Sequence, residues 1–268
     1  MIFDPKPAIV GHRGFGAGER GGYRENTLES YLAAVDHGLT WIELDVQRSL
    51  DGQLVIRHDP VTGAGDFVVA RSADELAAAA GVPRFEEIMA ALPPRVAVNI
   101  DVKTITEDAV DPPERRTAAL VAAALRRHAG RRPLFVSSFD PALLVYLRDQ
   151  DDFPAPVPLG LITWLNFPVW HALPAAAGLG LDAVCLHTGT FAMHREQPRP
   201  QDHTIEKVIS VAHQAGLEVL AWCPAPEAAV RLAAAGADAL SVNDVPEVLA
   251  ALAGAGPADP RLTGAPIP

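Results

Sequence analysis

Glu43 and Asp45 stand two residues apart in the stretch WIELDVQRSLDGQLVIRHD, Trp41 to Asp59. On an extended strand such positions face the same way, so both carboxylates look into one space. Two carboxylates on one face repel unless a cation sits between them, and oxygen ligands suit Mg²⁺ or Ca²⁺. Asp51-Gly52 then marks a tight hairpin turn, because glycine accepts the positive φ such turns need. With Asp51 and Gly52 as the two loop residues, the return strand Leu54–Arg57 brings His58 opposite Asp45. An imidazole beside paired carboxylates is a candidate acid or base. The plain alternative is an exposed hairpin carrying ordinary surface charges.

Such residues need elements to hold them. Ala8–Val10 is a short apolar strand running into Gly11-His12-Arg13-Gly14. Phe15–Tyr23 holds four glycines and reads as a mobile loop. Asn26 with Glu29 fits a capping box, and Leu28, Tyr31, Leu32 and Val35 recur at helical spacing up to Gly38. Arg95–Lys103 is a strand with Val96, Val98, Ile100 and Val102 on one face and Asn99, Asp101 and Lys103 on the other. Further strands are read at Leu134–Ser137, Val157–Thr163, Ala183–Leu186, Glu218–Trp222 and Ala239–Val242, with helices between them.

Alternating strands and helices argue for a parallel α/β fold. Setting aside the hairpin return leaves eight strand–helix units, the number of a (β/α)₈ TIM barrel with a β-hairpin insertion after the second strand. Position supports this. His12, Glu43, Asp45, Asp101, Lys103, Ser137, His187, Trp222 and Asn243 all fall at or near carboxyl ends of strands, the face on which such barrels carry their sites. A doubly wound open sheet is the competing arrangement. One domain over 1–253 is expected, followed by a Pro/Gly-rich tail, 254–268.

Composition narrows the function classes. The net charge is −11 with no basic stripe, which argues against nucleic-acid binding, since that depends on Lys and Arg neutralising phosphates. An acidic protein that handles an anionic substrate needs local positive charge from a cation or a few placed Arg and Lys. The 2 cysteines, Cys185 and Cys223, make no disulfide framework and fit a reducing cytoplasm. MIFDPKPAIV lacks a basic region followed by a long apolar run, so no signal peptide is expected. No stretch approaches the roughly 18 apolar residues of a membrane span.

The chain resembles the glycerophosphodiester phosphodiesterase family. The matching motifs are His12-Arg13-Gly14, Glu25-Asn26-Thr27, Ile42-Glu43-Leu44-Asp45-Val46, Asp51-Gly52, His58-Asp59, Asn99-Ile100-Asp101-Val102-Lys103, Ser137-Ser138-Phe139 and the strand around Trp222. Their order and spacing are more telling than any one of them. The resemblance implies a divalent cation, Mg²⁺ or Ca²⁺, held by Glu43, Asp45 and Asp101. It implies His12 and His58 as the acid/base pair, and Arg13 and Lys103 as phosphate contacts, with Glu25 and Trp222 beside the substrate. The implied reaction is hydrolysis of a small-molecule glycerophosphodiester to glycerol 3-phosphate and an alcohol.

Two departures stand out. The family usually has Glu where Asp101 stands, one methylene longer. It tends to have Thr-Val-Asn after the tryptophan, where this chain has Cys223-Pro224-Ala225. Aromatics in ITWLNFPVWHAL, Ile162 to Leu173, could shape the pocket for a bulkier, less polar alcohol. Two other readings compete: a phospholipase D-like enzyme acting on lysophospholipid or sphingomyelin-type substrates, and a barrel-scaffold binding protein that has lost catalysis.

Overall fold

The computed structural model describes residues 1–165, 167–192 and 204–255. Strand β1 (Ala8–Gly11) leads into a segment carrying a small antiparallel hairpin of β2 (Glu19–Arg20) and β3 (Tyr23–Arg24). Helix α1 (Leu28–Asp36) and β4 (Trp41–Arg48) follow, then β5 (Leu54–Ile56) and β6 (Ala97–Val102). The series continues with β7 (Leu134–Ser138), β8 (Leu159–Ile162), β9 (Ala183–His187), β10 (Glu218–Trp222) and β11 (Ala239–Val242). These form a nine-stranded sheet in which only β5 runs antiparallel to its neighbour. The other eight strands are parallel, and β1 pairs with both β11 and β4. That double pairing closes the barrel.

Helices lie between successive strands, and two apolar layers result. Val98, Ile100 and Val102 on β6 point outward into the layer beneath the helices. Ala8, Val10, Trp41, Ala97, Phe135 and Leu220 fill the barrel interior. Phe3 plugs the lower end, fully buried, with its ring 5.2 Å from Trp41 and 5.3 Å from Phe135. Two-residue alternation along each strand does this sorting.

Register decides what the inner face carries higher up. Trp41 is level with Ala97, Glu43 with Asn99, and Asp45 with Asp101. Asp101 is level in turn with Ser137, and Trp222 with His187 and Ser241. The inner face is therefore apolar low in the barrel and polar at the carboxyl ends.

The hairpin register differs from the one expected. Val46 faces Ile56, Gln47 faces Val55 and Arg48 faces Leu54. Ser49 pairs with Gln53 through N–H to O at 2.9 Å, so Leu50, Asp51 and Gly52 form a three-residue loop. Gly52 takes φ +73° there, as the left-handed position of such loops requires. Arg57, not His58, is the residue opposite Asp45, its N–H donating to the Asp45 carbonyl at 3.0 Å.

The helix start also differs. Thr27, not Asn26, caps α1, its hydroxyl accepting from the Ser30 N–H at 3.3 Å. Asn26 sits at φ +57° with its side chain turned inward.

Close packing under the first loop makes one position unforgiving. A Cβ on Gly11 would lie 2.2 Å from the Gly14 carbonyl oxygen, a backbone atom. Gly11→Ala should cost about 1–3 kcal/mol, read by chemical denaturation, and should lower activity by shifting His12 and Arg13. A variant as stable and active as the parent would refute the tight turn.

Candidate active site

Glu43, Asp45 and Asp101 each offer a carboxylate oxygen, and these atoms lie within 4.8 Å of one another. All three side chains are buried. Among the described residues Glu43 Oε1 and Asp101 Oδ1 have no hydrogen-bond partner. Buried, unpartnered carboxylate oxygens are costly, and an all-oxygen set of this size suits a hard divalent cation. The residues thus fit the cation that the motifs imply, and the shorter Asp101 still reaches the cluster.

Two cationic side chains enclose the cluster. Lys103 Nζ bridges Asp101 Oδ2 and Asp45 Oδ1, the latter at 3.0 Å. Arg13 lies between Glu25, 2.9 Å from its Nη1, and Asp45, 3.4 Å from its Nε. With all groups ionised, four carboxylates face two cations, a deficit that one divalent ion would balance. Burial alone would raise Asp45, but Lys103 and Arg13 outweigh it and hold the carboxyl at about 2. Glu43 goes the other way: burial, then the charges of Asp45 and Asp101, push it well above the ordinary carboxylate value. Lys103 is pushed up against the pull of burial by Asp101 and Asp45, so it stays charged.

Backbone geometry builds the first loop. Arg13 adopts φ +52°, a conformation uncommon outside glycine, which directs its N–H onto Glu43 Oε2 at 2.7 Å. Asn26 donates to Asp45 Oδ2 at 2.8 Å and accepts from the Tyr31 hydroxyl at 2.9 Å. A residue whose sequence context suggested a helix cap therefore orients a carboxylate of the cluster.

His12 is held from the last strand. Its Nδ1 lies 2.7 Å from Asn243 Oδ1, which also accepts from the Ala17 N–H at 3.0 Å. Because a backbone donor already marks that atom as the amide oxygen, His12 Nδ1 must carry the proton. Nε2 is left free to accept, 4.0 Å from Glu43 Oε2. Burial opposes charge on His12, but contact with the Cys223 sulfur outweighs it, aided by nearby Asp45, and the pKa rises above the usual imidazole value. Asn243 Nδ2 lies 3.3 Å from Cys223 Sγ. The sequence alone places Asn243 at a strand end and gives neither it nor Cys223 a role at the site.

Asn243→Ala should leave His12 free to turn and to change tautomer. We expect kcat to fall about 10–100-fold with KM little changed, measured by steady-state kinetics. Unaltered kcat would show that the amide does not orient the ring.

His12, Arg13, Glu43, His58, Asp101, Lys103 and Trp222 line one cavity of about 330 Å³ at the mouth of the barrel. His58 is brought there despite the changed hairpin register, with Nδ1 2.7 Å from Asp59 Oδ1. Asp45 lies just behind, among its hydrogen-bond partners. Glu25 does not line this cavity; it grips Arg13 and faces a neighbouring groove. Trp222 has a buried indole N–H without a partner among the described residues, a donor available to a bound oxygen. His187, expected at the rim, is half-buried with its ring 4.3 Å from that of Trp222. The sequence also reads His194 and His203 as surface or rim residues; both lie outside the described residues, as does most of the expected tail.

The Glycerophosphoryl diester phosphodiesterase family matches residues 12–247. The chain belongs to this family. It is 45% identical over 51 residues to the glycerophosphodiester phosphodiesterase of Bacillus altitudinis, a stretch covering 19% of this chain and 19% of that one. A second curated relative is matched over 5% of its length. Among solved structures, a phosphodiesterase from Oleispira antarctica in complex with the product sn-glycerol-3-phosphate superposes with TM-score 0.73. It is 22% identical, with 92% of this chain and 97% of that one covered. A glycerophosphodiester phosphodiesterase from Parabacteroides distasonis gives TM-score 0.72 at 17% identity, covering 92% and 96%. Structural likeness at that identity speaks for the shared fold.

Proposed function

We propose that this member of the family hydrolyses glycerophosphodiesters to glycerol 3-phosphate and an alcohol. The observation that carries the reading is that His12 and His58 line the same cavity as the carboxylate cluster. In-line displacement at phosphorus needs one proton taken from the attacking oxygen and one given to the leaving alcohol. The contacts of the two rings support one division of these roles. His12 has its free Nε2 available as an acceptor and acts as base. His58, its Nδ1 held by the Asp59 carboxylate at 2.7 Å, is left as the acid. The new P–O bond forms as the bond to the alcohol breaks, and His58 protonates the departing oxygen.

Charge on the phosphoryl oxygens is met by Lys103, Arg13 and the Trp222 N–H. Glu43, Asp45 and Asp101 would hold Mg²⁺ or Ca²⁺, whose Lewis acidity supplies further neutralisation when bound. A cytoplasmic setting is part of this reading, supported by two unpaired cysteines. Among the described residues no helix is long and apolar enough to cross a membrane.

The test is choline release from glycerophosphocholine by the purified protein with added divalent cation. Turnover that stops with a chelator is the expected result. A fully metallated sample inactive on every glycerophosphodiester tried would end the proposal.

One observation favours a second reading. Trp164 is 69% exposed yet stacks on Phe139 at 4.5 Å, and both line the cavity. Such an aromatic shelf would suit a lipid-bearing diester. Comparing kcat/KM for glycerophosphocholine and a lysophospholipid separates the two.

A further inference from the structure

Gln47 continues the inward face of β4 beyond Glu43 and Asp45, and it is buried. Its Nε2 lies 2.9 Å from the Arg57 carbonyl, 2.9 Å from that of His58 and 3.0 Å from that of Asp59. Carbonyls only accept, so the donor end of the amide must face them. Three consecutive carbonyls turned toward one point cannot belong to an extended strand, where they alternate. The return strand ends at Ile56, and the chain coils around this amide. Among the described residues the other hold on His58 is its contact with Asp59, whose side chain is 62% exposed. An exposed pair of that kind contributes little.

We infer that Gln47 is the positioning residue for His58: it fixes the backbone that aims the imidazole at the leaving oxygen. This rests on the phosphodiesterase reading above, with His58 as the acid. The consequence is selective. An alkoxide such as choline needs a proton to leave, whereas p-nitrophenolate leaves unprotonated near neutral pH. A misplaced acid therefore slows the alkyl diester and spares the aryl one, while general damage to the site slows both.

The test is Gln47→Glu, of nearly the same shape but with a carboxylate that repels the three carbonyls. Gln47→Asn, which keeps the amide and shortens its reach, is the second variant. On glycerophosphocholine kcat should fall about 10–100-fold with KM within about threefold. On the glycerophospho-p-nitrophenyl ester it should fall by less than about threefold. Equal losses on the two substrates, or none on either, would overturn the assignment. In a His58→Ala background Gln47→Glu should add no further loss on the alkyl diester; an additional drop would likewise overturn it. The His58 imidazole resonance in NMR needs no turnover. Its shift in both variants supports the positioning role and its constancy refutes it, even if wild-type inactivity on both diesters had already removed the proposed reaction.

Discussion

His12→Ala should lower kcat on glycerophosphocholine by about 10²–10⁴-fold, the usual worth of a positioned acid or base. The loss should extend to the p-nitrophenyl ester, because deprotonating the attacking oxygen is common to both substrates. His58→Ala, by contrast, should spare the aryl ester. The fold should survive in either variant. The side-chain contacts that His12 loses are to Asn243 Oδ1, which still accepts from the Ala17 N–H, and to Cys223 Sγ at 3.6 Å. Added imidazole should restore part of the His12→Ala activity by entering the space left in the cavity. Steady-state kinetics on both esters, with thermal melts as control, give the answer. Undiminished turnover by His12→Ala would remove the base from the mechanism.

Glu43→Gln should separate stability from function. In the metal-free protein Glu43 is a buried carboxyl crowded by Asp45 and Asp101, with Oε1 unpartnered. Its pKa is raised on folding, so the folded state is penalised once the pH exceeds the ordinary carboxylate range. Below that range both folded and unfolded states are protonated and the penalty vanishes. Replacing the acid by its amide should therefore raise stability near neutral pH by about 1–3 kcal/mol, or roughly 3–10 °C in Tm for a chain of this size. The gain should disappear below about pH 4. The parent protein should gain about 2.7 kcal/mol from a divalent ion at a hundred times its Kd. The variant should gain far less and lose activity. Melting curves with chelator and with Mg²⁺ or Ca²⁺ decide it. A variant no more stable than the parent at neutral pH, or equally stabilised by the ion, would contradict the assigned site.

Much of the site was legible because strand alternation is local. Glu43, Asp45 and Gln47 share a face whatever the rest of the chain does, and so do Asn99, Asp101 and Lys103. The strand ends carrying His12, His187, Trp222 and Asn243 were equally readable from apolar runs that stop at polar clusters. Turn detail was less so. Asp-Gly suggested a two-residue loop, but Leu50 joined it and the register slipped by one residue. His58 still reached the cavity because the chain past Ile56 coils around Gln47. Adjacent Asn26 and Thr27 were both acceptable helix caps. Which of them capped was decided by Asp45, a buried carboxylate that needed the amide more.

By itself the sequence determined the alternation of strands and helices, the types of the acidic, imidazole and cationic side chains, and the face of each strand they occupy. These follow from backbone periodicity and side-chain chemistry, which act over a few residues. Only the tertiary structure decided who meets whom. Closure of β1 against β11 sets Asn243 beside His12 across 231 residues and so selects the ring nitrogen that stays free. That choice depends on packing energy summed around a closed sheet, and no short stretch of chain contains it.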